Sequence, residues 1–170
     1  MKFPILVLIC AGLTSSGLAQ AGEVTLDQRF SGASHPTMVD TNGDGIFASA
    51  SSFQLKGSPG KATMQSLAEF TDFVFVGTPG CELRAELVQE SFIEMFSDGS
   101  MVFYHVSGAY ICVNIATLEI GGQMSGWITG GAGRFEGATG TWIVEFEAFP
   151  VGTTQTAFTG TFKGTIQTPD

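Results

Sequence analysis

The strongest constraint on this chain is a repeated pattern: short apolar runs, alternating in character at every second residue and bounded by glycines. Glycine occurs 23 times in 170 residues, about twice the usual share. The glycines are not gathered into a linker. They punctuate the chain, as in a series of β-hairpins. Thr141 to Phe149 is the clearest case. Trp142, Val144, Phe146 and Ala148 fall on one face, and Thr141, Ile143, Glu145 and Glu147 on the other. A period of two places one face on a core and the other in solvent.

Further strands follow from the same reading. Gln155 to Ile166 carries Phe158, Phe162 and Ile166 among threonines and glycines and reads as the last strand. Phe70 to Val76, apolar on both faces at its end, and Tyr110 to Ile120, β-branched and apolar, each read as a strand. Asp98-Gly99, between Phe96 and Met101, is a hairpin turn signal. Glu82 to Glu90 is built of helix formers, yet it also alternates. Leu83, Ala85, Leu87, Ile93 and Met95 oppose Glu82, Arg84, Glu86, Glu90 and Glu94. The hairpin downstream needs a strand leading into it, so strand is expected here. Many short antiparallel strands in one domain predict an all-β closed barrel or sandwich. Closure removes the exposed edges that invite aggregation.

The N-terminus sets the expected compartment. Met1-Lys2 is followed by an apolar run to Leu13, a small polar stretch, and Ala19-Gln20-Ala21. That is the pattern of a secretory signal peptide over residues 1–21. Its apolar run is far shorter than the ~20 residues that span a bilayer. Cleavage after Ala21 would leave one domain, residues 22–170, exported to the periplasm or outside the cell. Cys10 follows Ile9 inside the apolar run, a poor setting for lipidation. The remaining pair, Cys81 and Cys112, reads as a disulfide in an exported protein. It is worth roughly 3–4 kcal/mol in the chain-entropy model.

Charge narrows the partners. Sixteen acidic residues face seven basic ones, a net charge of -9. Such a field repels nucleic acid and anionic lipid, so neither nucleic acid nor, after processing, a membrane is an expected partner. The 15 phenylalanines supply enough apolar surface for an ordered core.

Asp40-Thr41-Asn42-Gly43-Asp44-Gly45-Ile46 matches the first half of an EF-hand loop, with oxygen ligands at Asp40, Asn42 and Asp44. The match then stops: Ala48 and Ser51 stand at the ninth and twelfth positions. A calcium ion here would need ligands from elsewhere. The alternative is a turn around Asn42-Gly43, with the aspartates as turn formers.

Ile128 to Gly140, ITGGAGRFEGATG, lacks the lysine and the glycine spacing of phosphate loops. It reads as a tight corner with close backbone approach. With Gly126, Trp142 and the later Phe158-Thr159-Gly160-Thr161-Phe162-Lys163-Gly164, this stretch resembles the C-terminal half of the allene oxide cyclase and dirigent-like barrels. The resemblance implies an eight-stranded, calycin-like antiparallel barrel with a mostly apolar central cavity. Members of that group include plant cyclases acting on fatty-acid epoxides and dirigent proteins that steer phenoxy coupling. No catalytic residue carries across, because the matched segment informs the fold.

Candidate chemical groups are few. Glu94, between Phe92 and Phe96, is a candidate for a carboxylate facing an apolar cavity, where burial would raise its pKa and suit acid–base work, or else a surface glutamate beside phenylalanines on a bulged strand. His105 shares a strand face with Met101 and Phe103. Tyr104, Tyr110, Trp127 and Trp142 are candidates for lining a pocket, or else core. Two histidines and no free thiol argue against a zinc site and Cys–His catalysis. The readings that follow are a barrel binding a small apolar ligand, an isomerase or cyclase using the cavity as a template, and a calcium-stabilised structural or surface-interaction protein.

Overall fold

A computed structural model describes residues 22–169. The expected signal peptide, Cys10 included, lies outside the described residues. Nine strands form one antiparallel sheet: β1 Gly22–Pro36, β2 Ser49–Ser58, β3 Ala62–Phe70, β4 Val74–Thr78, β5 Cys81–Phe96, β6 Met101–Val113, β7 Ile120–Ala132, β8 Thr139–Val151 and β9 Gln155–Thr168. One 3-10 turn, Gly133–Phe135, is the only helical element among the described residues. The sheet order is β3-β2-β1-β9-β8-β7-β6-β5-β4, and β3 also pairs with β5. That pairing closes eight strands into a barrel and leaves β4 as an extra strand beside the start of β5. The fold is the expected all-β closed antiparallel barrel of calycin-like form. None of the described helical structure is long and apolar enough to cross a membrane.

The alternation read in β8 holds. Trp142, Val144, Phe146 and Ala148 are buried, and the residues between them are exposed. Two glycines of β7 explain how the aromatic residues fit. Gly126 pairs with Trp142, and a Cβ there would lie 1.9 Å from the His105 carbonyl oxygen and 2.9 Å from the indole ring. Gly122 pairs with Phe146, and a Cβ there would meet that ring at 2.4 Å. Glycine opposite a large ring thus leaves the ring room to lie flat across the neighbouring strand.

Three expectations need correction. Phe70 to Val76 is not one strand: β3 ends at Phe70, and β4 begins at Val74. Tyr110 to Ile120 is also divided, by a turn in which Asn114 N–H donates to Glu119 O and Leu118 N–H to Asn114 O. Apolar content alone did not reveal these breaks. The third concerns facing in β5. Ile93 and Met95 are exposed, whereas Phe92, Glu94 and Phe96 are buried. The cause is a bulge: against β3, Glu69 pairs with Gln89 but Phe70 with Leu87, so Val88 is the extra residue. Ala85 is buried on one side of this bulge and Phe92 on the other, an odd separation that a regular strand forbids.

The predicted Cys81–Cys112 disulfide is present, with Cα atoms 4.9 Å apart. It ties the start of β5 to the end of β6. Such a bond suggests a non-cytoplasmic environment.

Candidate functional site

The barrel interior has a filled half and a hollow half. At the filled end Phe135 plugs the barrel at 2% exposure, with its ring against Phe96 at 5.0 Å. Arg134 lies over both rings and pairs with Asp98 at 3.1 Å. Above this plug sits Glu94, fully buried. Its Oε1 accepts from Gln28 Nε2 at 2.7 Å, and its Oε2 accepts from the Tyr104 hydroxyl at 2.5 Å. Burial pushes its pKa up, and the Tyr104 and Gln28 hydrogen bonds, with Arg134 nearby, oppose that rise. Burial, reinforced by the Glu94 charge, holds the Tyr104 hydroxyl well above its ordinary range.

The next layer is aromatic. Phe92 stacks on Tyr104 at 4.8 Å, and Trp142 meets Phe92 edge-on at 5.0 Å and Phe162 at 5.6 Å. These rings separate Glu94 from the hollow half.

Beyond the aromatic layer is a cavity of about 350 Å³. Its wall is mostly apolar, with Phe30, Phe53, Met64, Phe92, Phe158 and Phe162 prominent. Phe47 and Phe73, both about half exposed, contribute from the segments flanking β2 and β4. The polar wall groups are the hydroxyls of Ser34, Ser49, Ser51, Ser66 and Thr156, and the carboxyl of Glu90. Among the described residues, Glu90 is the only ionisable side chain that lines it. Desolvation pushes its pKa to about 8, while a hydrogen bond with Ser66 works the other way. Its Oε2 is buried and has no partner among the described residues. A carboxyl with that pKa is mostly protonated at neutral pH. It can donate to a ligand oxygen or exchange a proton with a substrate.

The structure separates the residues that sequence singled out. Glu94 faces inward, against the alternation that set it opposite Ile93 and Met95, and it lies beneath the aromatic floor, outside the cavity. Tyr104 and Trp142 belong to that floor and do not line the cavity. Tyr110 is on the outer wall, with the Arg84 guanidinium 4.2 Å from its ring centre. His105 and Trp127 are also outside, packed on each other at 4.1 Å, and Trp127 is 46% exposed. None of the four aromatic candidates therefore touches the cavity. Glu90 was missed because strict alternation sorts it with the solvent-facing residues. The one available signal was Ala85 and Phe92, inward-type residues at odd spacing, which demand a bulge between them.

Asp40, Asn42 and Asp44 lie in the loop between β1 and β2, whose base is closed by Thr37 N–H to Ala48 O and Ala48 N–H to Val39 O. This is a long loop and not a two-residue hairpin at Asn42-Gly43. Asp40 accepts from the Gly43 and Gly45 amides, and the Gly45 bond contributes most to holding its carboxyl below the ordinary range. Asn42 Oδ1 accepts from Asp44 N–H, and Asn42 Nδ2 donates to Asp44 Oδ2.

Comparison of the chain with models of known families, with curated proteins and with solved structures finds no match.

Proposed function

We propose that this protein is an exported barrel that binds one small, uncharged, largely apolar molecule carrying a hydrogen-bonding oxygen. The cavity with its single buried, half-satisfied carboxyl carries this reading. Its volume is at the lower end of the range for ligand pockets, about 300–1,000 Å³. The apolar wall favours a hydrocarbon or aromatic body. Glu90 Oε2 and the serine hydroxyls favour one polar end. Export, to the periplasm or beyond, is supported by the N-terminal pattern together with the disulfide. Kinship with the allene oxide cyclase and dirigent-like barrels remains part of the proposal, supported by the C-terminal glycine segment and by the barrel architecture.

The test is calorimetric titration with decanol and with alkylphenols. Saturable one-to-one binding is expected. Glu90→Leu should weaken decanol binding about tenfold, the value of one lost hydrogen bond, while leaving a plain alkane unaffected. Ala68→Phe, which fills the wall between Ser66 and Phe70, should abolish binding. Unchanged affinity in the filled variant would rule out the cavity as the site.

The raised pKa of Glu90 favours a second reading, an isomerase or cyclase in which Glu90 is the general acid–base group. Such chemistry needs shape, exclusion of water and one well-placed proton carrier. Glu90→Gln separates the readings. It should preserve binding in both cases but remove turnover only if the protein is an enzyme.

A further inference from the structure

The loop that resembles half an EF-hand meets a third carboxylate from a different part of the chain. Glu69, on β3, is 1% exposed and turned away from the cavity, under this loop. Its Oε2 accepts from both the amide and the hydroxyl of Thr41, at 2.8 and 2.6 Å. Its Oε1 is buried with no partner among the described residues. One carboxylate oxygen from each of Asp40, Asp44 and Glu69 lies within 4.8 Å of the others. No lysine or arginine pairs with any of them: the ion pairs among the described residues are Arg84–Glu86 and Arg134–Asp98.

We infer that Asp40, Asp44 and Glu69 form a calcium site that clamps the β1–β2 loop to β3. Calcium binds oxygen at about 2.3–2.6 Å, so oxygens sharing one ion lie no more than about 5 Å apart. The cluster meets that limit. Three carboxylates held this close repel one another, and a divalent ion reverses the sign of that interaction. An orphaned oxygen on a buried carboxylate is costly unless something coordinates it. The donor set is all oxygen, which excludes the preferences of zinc and copper. Magnesium demands a nearly ideal octahedron, and a loop-and-strand site with water completing the shell suits the more tolerant calcium. Glu69 supplies what the sequence motif lacks, since no glutamate stands at its twelfth position. The clamp has a local consequence: Phe47 of the same loop, and Ala68 and Phe70 on either side of Glu69, all line the cavity. The site itself rests on none of the ligand-binding argument.

The test uses the folded protein freed of metal with EDTA and dialysed, titrated with calcium chloride by calorimetry and followed by thermal melting. One calcium per chain should bind. Tm should rise by roughly 5–10 °C at a hundredfold excess over Kd. Asp44→Asn alters an exposed side chain and should fold normally, yet weaken calcium at least about tenfold. Glu69→Gln should do the same. Magnesium at equal concentration should give a much smaller shift. No heat and no change in Tm up to millimolar calcium would overturn the assignment, as would equal calcium affinity in Asp44→Asn. A magnesium shift matching that of calcium would overturn the choice of ion.

Discussion

Glu90 and Glu94 stand four residues apart on the inner face of β5, and the barrel treats them differently. Glu94 sits in the filled half with both oxygens accepting hydrogen bonds, from Gln28 and Tyr104. Glu90 faces the hollow half with Ser66 as its partner and one oxygen left bare. Burial raises the pKa of both. The difference teaches that an inward carboxyl is not by itself a site. Where packing and donors complete it, the group is structural. Where the wall recedes and leaves an unused oxygen, the group is available to a guest.

The largest expected effect tests the filled half. Glu94→Ala removes a side chain and leaves the Tyr104 hydroxyl and the Gln28 amide without their acceptor. A loss of about 3–5 kcal/mol is expected in urea unfolding. Glu90→Ala should cost less than about 1 kcal/mol, because the cavity already exists and no tight network is broken. Equal costs at the two positions would erase the distinction between the halves.

Next in size is the covalent strap. The filled end is held by packed rings, whereas the β4–β5–β6 corner has the disulfide and exposed apolar residues such as Phe75, at 72% exposure. Replacing Cys81 and Cys112 with serine should cost roughly 3–4 kcal/mol. Hydrogen exchange should accelerate in Val74–Thr78 and near Cys112, while the amides around Phe96 and Phe135 keep their protection. Uniform acceleration would show that the two ends are not independent.

A smaller effect is expected from pH. The folded pKa of Glu90, about 8, lies above its ordinary value of 4.5. The folded state therefore holds this proton more tightly than the unfolded chain. Its stabilising contribution is complete below pH 4.5 and is lost as pH rises to about 8. Glu94 contributes with the same sign. Glu90→Gln should therefore flatten part of the decline in Tm between pH 5 and 9, with the gain over the parent largest at pH 9. A parallel pair of curves would mean that Glu90 titrates normally and that the cavity is wet.

The smallest effect concerns the guest. Decanol affinity should fall by a few-fold as pH rises through about 8, because an ionised Glu90 loses its donor and retains solvent. The Glu90→Gln variant should bind with no such pH dependence. A pH-dependent Glu90→Gln variant would place the titrating group elsewhere.

Much of this molecule was legible before any coordinates. Alternation in Thr141–Phe149, the Asp98-Gly99 turn and the glycine punctuation together determined an antiparallel all-β chain, because a period of two and left-handed turn residues leave few other folds. The pairing of Cys81 with Cys112 followed from their being the two cysteines beyond the export pattern, which itself holds Cys10. Local pattern could not supply what depends on closure. Only the β3–β5 pairing decided that the sheet is a barrel with an inside. Only the bulge at Val88 decided that Glu90 and Glu94 point into it, since one extra residue inverts every facing beyond it. Only tertiary contact brought Glu69, 25 residues beyond Asp44, under the acidic loop. Sequence periodicity reports which residues share a face. Which face becomes the interior, and where that interior is left empty, is set by how the strands meet.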